Sequence, residues 1–415
     1  MTEETERSTR QGLARERQRK RKERHIKQHT TASPRQTSAQ LSPMEGFKVA
    51  NLRIPLGILR PLGLLLLSIL LIIGIFYGLR SINPPEASPR PNAIWLGTNW
   101  SYDLPSDEQV LGLVERLRRN KIGTAYVWVT YLKDDLAWSG KVADRDPLTN
   151  EAWNNINAIT EQPYTNTLAE MEPNILRFVQ QYKTFYPEGK LYGWISYPTN
   201  LDEDGYTLDN TTLHTRIAEL ATLLVTSYGF DGIYLNIEPI TDNDQNLLAL
   251  LRTVRQSIGT EIPIALAIPP DWRPSGDPIP YSPNITATFE WTKSYKQTVA
   301  LLVDEMLVMA YHSGLVSSTD YSTWVAYQVR AYAEAVAELG IETTVKVGIP
   351  TYPAELPAHD PAVENVETAL IGIKQGLAEA DTLASSISGV TIYAEWTTDE
   401  SEWELFHQLW ANATE

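Results

Sequence analysis

From Asn92 onward the chain alternates short apolar runs with longer amphipathic stretches. The apolar runs fall at Ala93–Gly97, Thr124–Thr130, Leu191–Ser196, Gly232–Ile237, Ile262–Ile268, Glu305–Ala310, Val345–Ile349 and Val390–Ala394. They consist mostly of Val, Ile, Leu, Tyr and Trp, as strands covered on both faces require. Between them the apolar positions recur at helical spacing, for instance over Leu213–Ser227, Asn246–Ser257, Thr323–Leu339 and Glu367–Leu383. Strand–helix units repeated in this way predict an α/β fold, a (β/α)8 TIM barrel over residues 92–415. A doubly wound open sheet is the competing arrangement, but no glycine-rich phosphate turn follows the first strand.

One connection breaks the rhythm. Leu132–Glu172 reads as polar and irregular, and it carries Trp138 and Trp153. In a barrel this loop leaves the C-terminal face, where active sites sit. Connections of such length are usually functional or disordered.

Upstream of the barrel the pattern changes. Pro61–Leu79 is free of charge and reads PLGLLLLSILLIIGIFYGL. A helix of roughly 19 apolar residues is just long enough to cross a bilayer. Arg53 and Arg60 precede it, and a dense basic run lies farther back at Arg15, Arg17, Arg19, Lys20, Arg21, Lys22 and Arg24. Positive charge stays inside, so residues 1–60 are expected to form an unstructured basic cytoplasmic tail. Residues 61–79 then form a single membrane helix in contact with lipid, and the barrel is extracytoplasmic. The basic segment is too long for a cleaved signal peptide. Residues 80–91 contain Pro84, Pro85, Pro89 and Pro91 and read as a stiff spacer.

Charge and composition narrow the chemistry. The net charge is -16 although the N-terminal tail is basic, so the barrel is strongly acidic and nucleic acid is excluded as its partner. The chain has no cysteine, which removes disulfides, thiolate metal sites and cysteine nucleophiles. Its six histidines are scattered, and no HExxH pair or nucleophile elbow occurs. Neither a metal nor a cofactor is therefore expected.

Residues 231–238 read Asp-Gly-Ile-Tyr-Leu-Asn-Ile-Glu. Alternation along a strand puts Tyr234, Asn236 and Glu238 on one face and Ile233, Leu235 and Ile237 on the other. One acid among neutral polar neighbours, at the end of a buried strand, points to a proton donor. The other strand ends supply Asn99 and Trp100, then Trp194, Ser196 and Tyr197, then Asp271 and Trp272. Met309, Tyr311, His312, Tyr352, Glu395 and Trp396 complete the set. An aromatic cleft with few carboxylates suits sugar rings, whose C–H faces stack on indole and phenol. Some of these tryptophans belong to the core, because Trp is usually mostly buried.

These residues make the exported part similar to glycoside hydrolase family 18, the chitinases and endo-β-N-acetylglucosaminidases. That family marks its fourth strand with Asp-x-x-Asp-x-Asp-x-Glu, where this chain has Asp231, Tyr234, Asn236 and Glu238. Where its sixth strand carries Met-x-Tyr-Asp this chain has Met309, Tyr311 and, in place of the Asp, His312, and its Gly-Ile-Pro matches Gly348, Ile349 and Pro350. Trp396 matches the tryptophan closing the eighth strand. Two of four motif acids are changed, and the third-strand Ser-x-Gly-Gly is absent, since Tyr197 and Pro198 follow Ser196. The resemblance implies an enzyme cleaving β-linked N-acetylated amino sugar polymers such as peptidoglycan or chitin, carried here on the membrane anchor read from residues 61–79. It implies Glu238 as acid/base and the substrate's own acetamide as nucleophile, the substrate-assisted exception to two-carboxylate hydrolysis. Asn236 then orients the acetamide, as in family 85 enzymes that pair Asn with Glu two residues later, and Tyr311 bonds its carbonyl. Tyr234, Trp100, Trp194, Trp272, His312, Tyr352, Glu395 and Trp396 are the candidate sugar-binding residues.

Two other readings stay open. The altered motif is compatible with a barrel that binds oligosaccharide without cutting it. A two-carboxylate glycosidase would instead pair Glu238 with Glu395 or Asp271.

The substitutions have a consequence for pH. Tyr234 and Asn236 are uncharged at neutral pH, so no like charge beside Glu238 raises its pKa. Any upward shift must come from burial. Hydrolysis is accordingly expected to peak at lower pH than the three-acid motif would give, and a rate profile with its maximum above neutrality would contradict this.

Overall fold

The computed structural model describes residues 92–132, 136, 138–139, 168–199, 207–271, 279–280, 282, 290–353 and 359–412. The basic tail, the apolar segment 61–79, the proline-rich spacer, Trp153 and Trp272 lie outside them. Among the described residues no helix is long and apolar enough to cross a membrane.

Eight parallel strands form the sheet: β1 (Asn92–Leu96), β2 (Ile122–Leu132), β3 (Lys190–Pro198), β4 (Gly232–Glu238), β5 (Ile264–Ile268), β6 (Glu305–Met309), β7 (Thr344–Pro350) and β8 (Ile387–Tyr393). Each pairs with the next in sequence, and β8 returns to β1, so the sheet closes on itself. A helix follows every strand: α1 (Asp107–Arg119), α2 (Leu168–Phe185), α3 (Thr211–Leu223), α4 (Gln245–Ile258), α5 (Lys293–Ala300), α6 (Ser318–Ala337), α7 (Val366–Ala380) and α8 (Glu400–Phe406). The expected (β/α)8 barrel is the observed architecture.

Local chemistry sets the boundaries. Ser106, Asn210, Asp244, Thr292, Ser317, Asn365 and Asp399 each cap a helix by accepting from a backbone N–H of its first turn. Such residues favour caps because their short side chains reach otherwise orphaned donors. The Ser317 cap starts α6 five residues before the stretch read from periodicity. Strand β5 starts at Ile264 rather than Ile262 because Pro263 has no N–H to offer the ladder, although its carbonyl accepts from Ile233 at 3.0 Å. Two described parts lie within the stretch read as the long connection after β2. Trp138–Ser139 pairs antiparallel with the end of β2, and α2 already begins at Leu168.

Closure rests on few contacts. Strands β1 and β8 share only the register pairs Ala93↔Thr391 and Ile94↔Ile392. The buried side chain of Asn92 reinforces the seam: its Oδ1 accepts from Val390 N at 3.2 Å and from Trp410 Nε1 at 2.8 Å, while its Nδ2 donates to Asn120 O at 3.3 Å. On the surface Arg116 pairs with Glu400 at 2.6 Å and Arg119 with Glu404, joining α1 to α8. Exposed pairs of this kind contribute only about 0.2–1 kcal/mol each, so the buried Asn92 network matters more.

The apolar residues divide into a layer between sheet and helices and a second cluster inside the barrel. The inner cluster is largely aromatic. Trp95 lies 5.9 Å from Tyr126, 6.0 Å from Tyr234 and 5.2 Å from Tyr393, and Tyr126 lies 4.9 Å from Tyr234. Toward the N-terminal end this cluster encloses an ion pair. Lys346 Nζ sits 2.8 Å from Glu305 Oε2, and the Tyr126 and Tyr192 hydroxyls donate to the same carboxylate at 2.7 and 3.3 Å. Burial alone would raise the Glu305 pKa, but the Lys346 charge and the three donors together hold it below the usual carboxylate range.

Removing one member of this pair leaves a buried charge with no opposite charge. Lys346→Met is expected to lower unfolding stability by about 3–5 kcal/mol, and adding Glu305→Gln should restore most of the loss. Urea denaturation midpoints of the two variants provide the check; equal stability of the single and double variants would contradict it.

Candidate active site

Glu238 is the last residue of β4 and stands at the C-terminal rim beside Pro198, with Asn236 one pleat below, opposite Ser196. The rim is tied across strands: Thr199 N donates to Glu238 O at 2.8 Å, and the Thr199 hydroxyl donates to Pro239 O. Burial pushes the Glu238 pKa up, and a hydrogen bond from the Asn236 side chain works against that rise. A bond that favours the charged carboxylate is one that donates to it, so the Asn236 Nδ2 faces Glu238. The other end of the amide, Oδ1, is buried and has no hydrogen-bond partner. An unpaired buried acceptor is costly unless a ligand meets it.

Tyr234 shares this face of β4 but lies deeper. At 2% exposure it packs against Trp95, Tyr126 and Trp194, forming the floor below Glu238 rather than a wall of the cleft. Its hydroxyl pKa is raised first by burial and then by the Glu238 charge, so the two groups are electrostatic neighbours. Tyr311, just beyond β6, is 8% exposed and stacks on Tyr393 at 5.0 Å and 12°. Burial, then Tyr393, Tyr234, Glu238 and Tyr352, raise its hydroxyl pKa. Glu238, Asn236 and Tyr311 are thereby brought to one place. Gly348 on β7 makes room for this stack, because a Cβ there would stand 3.1 Å from the Tyr311 ring and 3.2 Å from Trp95.

The remaining candidates do not share one level of the barrel. Trp194 meets Trp128 edge to face at 4.8 Å, and Trp396 meets Tyr393 at 5.9 Å. Trp100 packs on Phe178 in the outer layer, and its Nε1 donates to Glu395 Oε2 at 2.7 Å. Tyr352 lies 5.5 Å from His312, whose pKa burial lowers to about 4. Trp272 is outside the described residues.

Among the described residues neither partner considered for a carboxylate pair contributes to the Glu238 pKa, which burial raises and the Asn236 side chain lowers. Glu395 is held by Trp100 and Asn99, and its own pKa is raised mainly by burial. Asp271 forms a buried ion pair with Lys296 of α5, and its backbone exchanges hydrogen bonds with Gln328 of α6. Asp231, the first acid of the motif, faces outward and serves the fold: it pairs with Lys183 at 2.9 Å and accepts from Leu191 N at 2.9 Å. Among the described residues no group of three or more His, Cys, Asp or Glu is arranged to hold a metal ion.

Two residues at the site escaped the sequence reading. Trp128 lies within β2 and Tyr393 at the end of β8, while attention to residues beyond the strand ends passed over both. Alternation would have found them, since Tyr126 and Trp128, like Thr391 and Tyr393, share a face of their strands.

No protein-family model matches the sequence, and no curated protein matches it either. Among solved structures the chain is similar to the spore cortex-lytic enzyme SleL of Bacillus cereus, with TM-score 0.47, 11% identity, and coverage of 77% of this chain and 74% of that one. It is similar to a chitinase from Chromobacterium violaceum, with TM-score 0.46, 13% identity and coverage of 77% and 98%. It is also similar to the C-terminal domain of a putative chitinase from Desulfitobacterium hafniense, with TM-score 0.48, 10% identity and coverage of 79% and 100%. These likenesses are distant, and the functional reading rests on the residues of the site.

The burial of Glu238 has a measurable cost. With its pKa raised in the folded state, the protein keeps its full stability below the unfolded value of about 4.3 and loses some as pH rises through the folded value. Glu238→Gln is neutral at every pH and escapes that loss. Its Tm should match the wild type near pH 4 and exceed it increasingly toward neutrality; a gap independent of pH would contradict the assignment.

Proposed function

We propose that the barrel hydrolyses β-linked polymers of N-acetylated amino sugars, using the substrate's 2-acetamido group as nucleophile. The observation that carries this reading is the Asn236–Glu238 pair: a half-buried carboxyl whose pKa no second carboxylate among the described residues raises, and beside it an amide oxygen that none of them meets. A two-carboxylate mechanism needs a second acid about 5–9.5 Å away, whereas substrate assistance needs only one. The unpartnered Oδ1 suits the N–H of an acetamide, the group that a plain glucan lacks.

The steps follow from these positions. Protonated Glu238 gives its proton to the glycosidic oxygen as the bond from that oxygen to the anomeric carbon breaks. The acetamide carbonyl oxygen closes on the anomeric carbon, and positive charge develops on the acetamide nitrogen, whose N–H is held by Asn236 Oδ1. The Tyr311 hydroxyl orients the carbonyl oxygen for this closure. Water then adds to the anomeric carbon, ionised Glu238 takes its proton, and the acetamide is restored. Glu395 and Trp396 contact the sugar ring and its hydroxyls, and Trp194 lines the floor beneath with Tyr234. Residues 61–79 hold the barrel to the outer face of the cell membrane, within reach of an envelope glycan such as peptidoglycan or of a chitin-like polymer.

One contact favours a second reading. The bond from Asn236 to Glu238 stabilises the ionised carboxylate, which is the form that does not donate. A barrel that binds acetamido sugars without cutting them fits that contact.

Full-length protein in detergent, given matched acetylated and non-acetylated oligosaccharides, separates these possibilities. Cleavage confined to acetamido sugars is expected, with kcat falling about 10²–10⁴-fold in Glu238→Gln while binding persists. Equal cleavage of non-acetylated oligosaccharides would overturn substrate assistance, and binding without product would establish the second reading.

A further inference from the structure

Beyond the strand ends, the buried side chains of His359 and Glu364 make a cluster that the mechanism above does not use. Both residues lie in the connection between β7 and α7, and both side chains are fully buried. The Glu364 carboxylate receives four donors. Its Oε2 accepts from His312 N at 2.9 Å and faces His359 Nδ1 at 3.1 Å; its Oε1 accepts from Ser313 N at 2.8 Å and from the Ser313 hydroxyl. The second ring nitrogen of His359 lies 3.1 Å from the Tyr352 carbonyl oxygen. The pair therefore bridges the exit of β6 to the exit of β7.

The β6 exit needs such a bridge. His312 has φ +57°, a left-handed conformation that a residue with a Cβ adopts only when its surroundings impose it. Tyr311 immediately precedes that turn, so the direction of its ring follows from the backbone that Glu364 grips at His312 and Ser313. On the other side, the His359 ring packs on Tyr352 at 4.0 Å, and Tyr352 packs on Tyr311 at 6.3 Å. Tyr311 is thus braced through its backbone by Glu364 and through its ring by Tyr352.

We propose that His359 and Glu364 are a positioning pair for Tyr311, joined by a proton held between His359 Nδ1 and Glu364. This inference rests on the glycosidase reading for its consequence in catalysis, but not for the state of the pair. A carbonyl oxygen only accepts, so His359 Nε2 bears hydrogen toward Tyr352. The 3.1 Å contact between Nδ1 and Oε2 then carries one proton, which joins the ring to the carboxyl. Among the described residues the titratable groups facing the pair are His312 beyond β6, Tyr352 beyond β7 and Tyr321 of α6, on whose hydroxyl the Glu364 charge acts. None of them supplies a negative charge at neutral pH that would replace Glu364.

The chain has six histidines, so selective ¹⁵N-histidine labelling of the full-length protein gives a readable spectrum, with His359 assigned by elimination using substitutions at the other five. The Nε2 of His359 should show the shift of a protonated imidazole nitrogen, and the Nδ1 shift should move when Glu364 is replaced by Gln. A non-protonated shift at Nε2, or an Nδ1 shift that Glu364→Gln leaves unchanged, would overturn the pair as described. In turnover of an acetylated chromogenic oligosaccharide, His359→Gln should lower kcat by about 10–100-fold with much less change in KM. In a Tyr311→Phe background the same substitution should cost little, because it acts through Tyr311. An equal loss in both backgrounds would make the pair merely structural and overturn the proposal. Absence of turnover by the unsubstituted protein would count against the glycosidase reading, while the ¹⁵N shifts would still decide the pair.

Discussion

The closed eight-stranded sheet imposes one constraint on everything inside it: the interior is dry and just wide enough for side chains. A polar group placed there must find its partner within the barrel or leave a site for something that enters. Glu305 finds Lys346, Tyr126 and Tyr192, and its carboxyl is held ionised. Glu238 finds only Asn236, and burial drives it toward the neutral form. The same enclosure therefore acts on two carboxylates in opposite directions, according to what faces each.

The aromatic filling turns that enclosure into a rigid support. Trp95 touches Tyr126, Tyr234 and Tyr393, and Tyr393 in turn stacks on Tyr311. Rings packed edge to face leave each other few alternative positions. Close approaches depend on missing side-chain atoms: a Cβ at Gly97 would stand 2.9 Å from Trp396, and one at Gly348 would meet Val308 O at 3.0 Å. The groups of the site are thus held before any substrate arrives, as electrostatic catalysis requires.

The sequence made the architecture legible because burial on both faces leaves apolar runs that are hard to mistake. It also placed Tyr234, Asn236 and Glu238 on one face of a strand, since alternation is a property of the backbone. Depth along the barrel was not legible. Tyr234 looked like a cleft residue and lies on the floor, because its depth depends on how neighbouring strands are staggered. Contacts between distant elements were equally hidden: nothing local announces that Lys296 takes Asp271, or that Trp100 takes Glu395. Lys346 was a readable anomaly, a single charge within the apolar strand Thr344–Pro350, and its meaning became clear only when Glu305 appeared opposite it.

The separation of the two carboxylates bears on how such a protein can diverge. Glu305 near one end of the barrel is tied to the integrity of the fold in acid, while Glu238 at the other end is the proposed proton donor. Their surroundings share no charged residue, so each can drift under its own selection. Descendants that colonise a more acidic or more alkaline niche can therefore retune the rim by substitutions near position 236 and leave the foundation untouched. The acid limit of the fold is thus set at one end of the barrel and its alkaline cost at the other, so a change at one need not move the other.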